Sequence, residues 1–377
     1  MIKLLHTADW QIGKLFGQFE PDEAALLAEA RFKAVERLAS VATENRVDLV
    51  LVAGDVFDAQ GVADKTIHRL FNAMAGFEGP WILLPGNHDA ALAESVWTRA
   101  ARLKAIPGNV TVCLRPEPLL LDSINVAVLP APLTQRNTHT DLTEWFAAAE
   151  TPAGMPRIGL AHGSVQGILA EGIDSANPIA AGRAEQAGLD YLALGDWHGM
   201  KQVDARTWYS GTPETDRFRA NDSGQALLVE LSEPGALPTV MPVATGQYRW
   251  HSEALLLQVP SDVDQALQRI SAFGPADVVQ LGLSGRTDLG GHRRLLDSIE
   301  QARGKARSLL ADLSALRLEP TVEDIDALKA DGYLGEVIAE LRAGQDGADA
   351  EVARDALTLL AGILDAQRAN AGVGGSP

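Results

Sequence analysis

The chain of 377 residues is short of thiol: it holds one cysteine, Cys113. A single cysteine excludes an internal disulfide framework and fits a reducing compartment. Cys113 lies in the apolar run 110–114, so it reads as a buried, inert thiol and not as a nucleophile. Long hydrophobic runs are lacking too. No stretch approaches the roughly 20 apolar residues of a membrane span. The opening Met1-Ile2-Lys3-Leu4-Leu5-His6 is too short an apolar run for a signal peptide and continues as strand. These readings point to a cytoplasmic protein with no membrane contact. Positive charge is scarce: 32 Lys and Arg stand against 50 Asp and Glu, a formal net charge of -18. That excludes a broadly basic nucleic-acid surface. A local one stays open, because a metal site brings its own positive charge among carboxylates.

The length allows about two domains and a sizeable core. Up to residue 91 strands alternate with helices. Strands are expected at 2–7, 47–53 and 81–84, with helices at 22–45 and 66–76. Leu27, Ala30, Ala34, Leu38 and Val41 recur at helical spacing, and Pro21-Asp22-Glu23 is a helix start. Such alternation implies a largely parallel sheet. After residue 110 closely spaced strands follow at 110–114, 118–121 and 124–128, which implies a second, partly antiparallel sheet packed on the first. A short helix at 141–150 precedes strands at 158–161, 191–194, 208–211 and 225–231, and an edge hairpin closes at 239–243. A compact α/β module follows, with strands at 254–259, 278–283 and 316–318 and helices at 262–273 and 292–313. Beyond Pro320 the chain is helical and acidic, with 11 Asp and Glu against 4 Lys and Arg. There Val352, Ala356, Leu359, Leu360 and Ile363 form an apolar stripe that docks on the chain's own body or on a partner.

The chemistry centres on Leu51-Val52-Ala53-Gly54-Asp55-Val56-Phe57-Asp58. An apolar strand ends in a glycine that permits a tight turn, and a carboxylate sits just beyond. Ligands of open α/β sheets bind beyond the carboxyl ends of the strands. One such turn is common, but here the pattern recurs. Asp9-Trp10-Gln11, Gly86-Asn87-His88-Asp89, His162-Gly163 and Gly195-Asp196-Trp197-His198 each follow an expected strand. The candidate metal ligands are therefore Asp9, Gln11, Asp55, Asn87, His162, Asp196 and His198. Carboxylate, amide and imidazole without thiolate suit Mn²⁺, Fe or Zn²⁺ better than a sulfur-liking metal and do not choose among them. Asp55 has two oxygens and can bridge two ions about 3.5–4 Å apart, which together activate a water and stabilise charge on phosphorus. His88 follows Asn87 directly and is placed to serve the phosphoryl group or the leaving oxygen; His88 and Asp58 are the catalytic candidates. Taken singly, Asp9 or Asn87 reads as a cap or turn residue and His162 as a hydrogen-bonded strand-end histidine.

These motifs resemble the calcineurin-like metallophosphoesterase superfamily. More narrowly, Leu5-His6-Thr7-Ala8-Asp9-Trp10, Gly54-Asp55-Val56-Phe57-Asp58 and Tyr209-Ser210-Gly211-Thr212-Pro213-Glu214 are similar to the nuclease subunits of SbcCD-type complexes and their double-strand-break repair relatives. The resemblance covers about residues 1–220. It is weaker over the small module, where Leu281-Gly282-Leu283-Ser284-Gly285-Arg286 resembles a capping domain. It implies a two-layered β-sandwich flanked by helices: a catalytic domain at 1–250, a small α/β capping domain at 251–320 and an acidic helical segment at 321–377. It implies a Mn²⁺-dependent DNA exonuclease and endonuclease with an SbcC-like coiled-coil ATPase partner, and a homodimer. Asp9, Gln11, Asp55 and His198 would hold one ion, and Asp55, Asn87, His162 and Asp196 the other. His88 would be the catalytic histidine and His6 a structural residue. Two departures stand out. The family has histidine where this chain has Gln11, and Gly-His-x-His where it has Gly195-Asp196-Trp197-His198. A neutral amide oxygen is the poorer ligand, so the Gln11 site is expected to be weak or shifted toward Mn²⁺ or Mg²⁺.

Lys14, Arg136, Lys201 and Arg217, with Arg206 and Arg219, lie in or near the motif loops and are candidates to hold phosphates in register; each alone also reads as ordinary surface charge. Two other readings stay open: a phosphodiesterase or phosphatase on a non-DNA substrate, and a degenerate scaffold for an ATPase partner.

Overall fold

The computed structural model describes residues 1–168, 176–327, 333–344 and 350–373. It divides into two units, Met1–Arg249 and Trp250–Pro377. The first unit opens with β1 (Ile2–Thr7), α1 (Pro21–Glu44), β2 (Leu49–Val52), α2 (Asp64–Ala73), β3 (Trp81–Leu83), α3 (Val96–Arg102) and β4 (Val110–Val112). β1 to β4 run parallel, each paired with the next. Next come β5 (Leu119–Leu121), β6 (Val126–Ala131), β7 (Arg157–His162), β8 (Ser164–Val165), β9 (Pro178–Ile179), α4 (Arg183–Gln186), β10 (Tyr191–Gly195), β11 (Lys201–Gln202) and β12 (Thr207–Tyr209). The unit closes with β13 (Gln225–Leu231) and β14 (Thr239–Ala244).

Two six-stranded sheets result, ordered β14-β13-β1-β2-β3-β4 and β11-β12-β10-β7-β6-β5. Their facing sides share one apolar layer, in which Leu4, Leu49, Leu51 and Ile82 of the first sheet meet Val126, Ile158, Leu160 and Ala193 of the second. The outer side of the first sheet packs under α1 and α2 through Val35, Leu38, Ile67 and Leu70. The central strands are buried on both faces, and that is why they read as continuous apolar runs and not as alternation. The sandwich flanked by helices expected from the sequence is thus the observed architecture.

His6 is buried at the contact between the sheets. Its Nδ1 lies 2.9 Å from the Tyr191 hydroxyl and its Nε2 3.2 Å from the Leu194 carbonyl, both on the second sheet. Burial pushes its pKa down from 6.5 to about 3, with the Leu194 carbonyl pulling the other way. It is therefore a structural strut.

The second unit has β15 (Arg249–Leu257), α5 (Pro260–Ser271), β16 (Asp277–Thr287), α6 (Leu289–Arg303) and β17 (Ser308–Leu318) around a core of Leu257, Ile270, Leu281, Leu295 and Ile299. Then follow α7 (Val322–Ala327), α8 (Tyr333–Gly344) and α9 (Ala350–Val373).

Several expectations need correction. The helix expected at 292–313 ends at Arg303, and Ser308–Leu318 is a strand parallel to β16. Gly304 caps the helix, and Leu309, Ala311 and Leu313 then alternate toward the core. The helix expected at 141–150 is a single 3₁₀ turn, Glu144–Ala147. The sequence reading missed α3, although Ser95 accepts from the Thr98 amide as a capping box. Among the described residues of α9, Ala353, Leu357 and Ala361 are buried; of the expected stripe, Ala356 and Leu360 are half-buried, Leu360 against Ile338 and Leu357, while Val352, Leu359 and Ile363 are exposed. Two apolar stripes lie side by side on that helix, and the one richer in alanine allows the closer approach.

His6 makes a testable contribution. The unfolded chain takes up its proton near pH 6.5, while the folded chain resists it down to about pH 3. Its stabilisation is complete above 6.5 and is lost as pH falls. Urea unfolding should show the stability gap between wild type and His6→Gln narrowing by about 2 kcal/mol between pH 7.5 and 5. Parallel curves would refute the buried, neutral strut.

Candidate metal centre

The loops after β1, β2, β3, β7 and β10 meet at one edge of the two sheets. They are bonded to one another: the amides of Asp9, Gln11 and Ile12 donate to the carbonyls of Gly54, Asp55 and Val56 at 2.8–3.0 Å, and Gly163 donates to Gly195. Four candidate ligands hold left-handed backbone, with φ of 54° at Asp9, 42° at Gln11, 52° at Asp55 and 100° at Asp196. Non-glycine residues adopt such angles at a cost, and they gather where surroundings over-determine them. Two glycines make the approach possible. A Cβ on Gly54 would fall 2.2 Å from His162 Nδ1, and one on Gly86 2.2 Å from Asp55 Oδ1.

Asp9, Asp55 and His162 offer ligand atoms within 4.8 Å of one another, and all three are buried. His162 Nδ1 donates to the Ala53 carbonyl at 2.8 Å, so in the neutral ring Nε2 keeps its lone pair. Around that lone pair stand Asn87 Oδ1 at 3.2 Å, Asp55 Oδ1 at 3.6 Å and Asp196 Oδ1 at 3.8 Å. Four electron-pair donors facing one another are stable only around a proton or a metal ion. Burial opposes charge on His162, yet Asp55, Asp9 and Asp196 raise its pKa to about 9. Burial, with Asp55 and Asp196 adding to it, raises Asp9 to about 6 against the pull of His198 and His162. Burial also raises Asp196. A divalent cation fits this donor set, with His162 oriented by a carbonyl behind it.

His88 stands beside the cluster. Its Nδ1 lies 2.7 Å from the Asp58 carbonyl, which can only accept, so Nδ1 carries a proton and Nε2 turns toward Asp55 Oδ2 at 3.9 Å. Its backbone amide donates to Asp55 Oδ1 at 2.9 Å. Asp58 thus meets His88 through its main chain.

The other expected ligands are arranged differently. Lys14 Nζ donates to Gln11 Oε1 at 2.9 Å and to Asp216 Oδ2 at 2.8 Å. Gln11 Nε2 lies 3.3 Å from His198 Nε2, and His198 Nδ1 lies 3.1 Å from Asp216 Oδ2. Arg217 Nη2 reaches both ring nitrogens of His198, at 2.7 and 3.3 Å. Burial works against charge on Asp216, but its hydrogen bond and attraction to His198, then Arg31 and Arg217, hold it well below the usual carboxylate range.

Lys14 and Arg217 therefore stand at the centre. Lys201 and Arg219 lie near the Trp197 ring, 5.6 and 4.6 Å from its centroid. Arg136 is exposed, and its carbonyl accepts from Asn177. Arg206 binds the carbonyls of Asp190, Gly235 and Ala236, at the far end of β10 from the site.

Asp216 and Arg31 escaped the sequence reading, and Asp89, quoted there in a motif, was given no role. Asp216 lay in no motif. Asp89 ties the loops after β2 and β3 by accepting from Phe57 N and Gly86 N. Buried Arg31 donates to the carbonyls of Asp9, Trp10 and Glu214 and to Thr212 Oγ1. Its signal was a lone charge inside the apolar stripe of α1, four residues after Leu27 and four before Val35.

Known proteins bear on this geometry. A nuclease subunit of the SbcCD complex from Rhodobacter capsulatus is 28% identical over 262 residues, 56% of this chain and 62% of that protein. The DNA double-strand break repair protein Mre11 of Methanosarcina acetivorans is 23% identical over 314 residues, 76% of this chain and 46% of that protein. The chain thus spans about half to three fifths of the length of these relatives. The crystal structure of TT1561 from Thermus thermophilus is 12% identical, with a TM-score of 0.41 over 65% of this chain and 99% of its own. The family model for calcineurin-like phosphoesterases matches residues 2–229, and the chain belongs to that family of metal-dependent ester hydrolases.

Proposed function

We propose that this chain is a Mn²⁺-dependent nuclease that hydrolyses phosphodiesters in DNA, in double-strand-break repair or end processing. The observation that carries the reading is the convergence of Asp9, Asp55, Asn87, His162 and Asp196 beside His88. Those five residues would hold a divalent ion, which supplies a Lewis acid and lowers the pKa of a water. Asp55 positions both parts, since its Oδ1 faces His162 and also accepts from the His88 amide. His88 is fixed by the Asp58 carbonyl through Nδ1–H; with a second proton on Nε2, as the imidazolium, it would be the acid that protonates the leaving oxygen. Lys201 and Arg219, gathered at the Trp197 ring beside Asp196 and His198, add cations suited to the phosphates of a nucleic-acid strand.

The two relatives named for nuclease and DNA-repair work support DNA as the substrate. The name of the first, a subunit of SbcCD, supports an SbcC-like coiled-coil ATPase as partner. The exposed Val352, Leu359 and Ile363 on α9 give such a partner an apolar surface. Residues 251–320 would act as the capping module, and a homodimer is part of the same proposal.

Three experiments test it. Asp55→Ala and His162→Ala should each abolish Mn²⁺ binding, read by elemental analysis after desalting. His88→Ala should keep the metal and lower kcat about 10²- to 10⁴-fold; a His88→Ala protein without metal would show that His88 is a ligand and not the acid. End-labelled duplex and single-stranded DNA, incubated with Mn²⁺ beside bis-p-nitrophenyl phosphate, should be cleaved by wild type and not by Asp55→Ala. Hydrolysis of the small ester alone would move the substrate away from DNA, and inertness toward both would favour the scaffold.

A further inference from the structure

Gln11, Lys14, His198, Asp216 and Arg217 form a closed cluster on one side of the metal cradle. A second ion held by Asp9, Gln11, Asp55 and His198 does not fit it. Lys14 fixes the Gln11 amide: only the oxygen can face an ammonium, and it does so at 2.9 Å. The NH₂ group is thereby turned toward His198 Nε2, at 3.3 Å. Gln11 thus presents donors where a ligand must present a lone pair. His198 gives Nδ1–H to Asp216, which leaves a lone pair on Nε2, but that lone pair faces two donors, the Gln11 NH₂ group and Arg217 Nη2, each at 3.3 Å. Among the described residues, the one group of three acidic or histidine ligands spaced for an ion is Asp9, Asp55 and His162, and His198 is not part of it.

The cluster also carries its own positive charge. The Asp216 side chain is only 1% exposed and pairs with Lys14 at 2.8 Å and Arg217 at 3.0 Å. The two cations reach outward, with side chains 22% and 46% exposed. A buried carboxylate thus holds an ammonium and a guanidinium at the rim of the cradle. Guanidinium and ammonium groups bind phosphate oxygens directly.

We propose that the site takes a single divalent ion, and that Lys14 and Arg217, tethered by Asp216, supply in place of a second ion the positive charge that meets the phosphate. This rests on the chain being a metal-dependent phosphodiesterase.

Mn²⁺ titration calorimetry of the full chain, with electron paramagnetic resonance of the loaded protein, tests it. Wild type should bind one ion per chain and give the spectrum of an isolated Mn²⁺; Asp55→Ala should bind none. The double variant Gln11→His, Lys14→Ala should take twice the metal and give an exchange-coupled pair. Arg217→Gln should keep one ion and lower kcat/KM for bis-p-nitrophenyl phosphate about tenfold. Two ions in wild type, with a coupled spectrum, would overturn the single-ion site and leave the hydrolase intact. No ion in wild type would overturn both. An unchanged kcat/KM in Arg217→Gln, or a double variant that folds and still binds one ion, would overturn the role of the tethered cations. The wild-type stoichiometry decides the ion count even if the double variant does not fold.

Discussion

Two carboxylates of like charge, Asp9 and Asp55, are buried beside each other and beside His162, and the rest of the first unit is arranged around that fact. Charges removed from water are stable only when opposite charge or hydrogen-bond donors replace the lost solvent. The chain supplies both. The amides of His88 and Asp196 donate to Asp55 and Asp9. Arg31 binds the backbone of the Asp9 loop from behind.

The sheets exist, in this sense, to bring strand ends together. Parallel strands deliver successive loops to one edge, and stacking a second sheet on the first adds His162 and Asp196 opposite Asp9 and Asp55. The cost shows in the backbone. Left-handed angles at Asp9, Gln11, Asp55 and Asp196 are held by the ladder of bonds between the loops after β1 and β2 and by the absence of side chains at Gly54 and Gly86.

Much of this was legible in the sequence. Apolar runs ending in glycine and a polar residue located the strand ends, because a strand buried on both faces must be apolar throughout and must stop where backbone turns. The helical period of α1 was equally plain. What stayed hidden depends on contacts distant in the chain. Asp216 has no local pattern; it acquires meaning only when Lys14 and His198 fold against it. The orientation of the Gln11 amide follows from a lysine three residues away, yet nothing in the spacing shows which group turns to meet which. At 289–318 a leucine- and alanine-rich stretch satisfies both the helical and the strand period, and pairing with β16 decided for strand after Gly304. On α9 two apolar stripes compete, and tertiary packing chose the smaller side chains.

The cross-bonding of the loops after β1 and β2 also restricts how the protein can vary. Ile12 and Phe57 are paired like residues of a sheet, and Asp58 donates back to Ile12 at 3.1 Å. The two loops are in register with each other, so neither can gain or lose a residue unless the other changes with it. Asp89 extends the same restriction to the loop after β3. Room for insertions is left to connections held by local bonds, such as the largely exposed turn at 122–125 between β5 and β6, away from the strand ends that build the site.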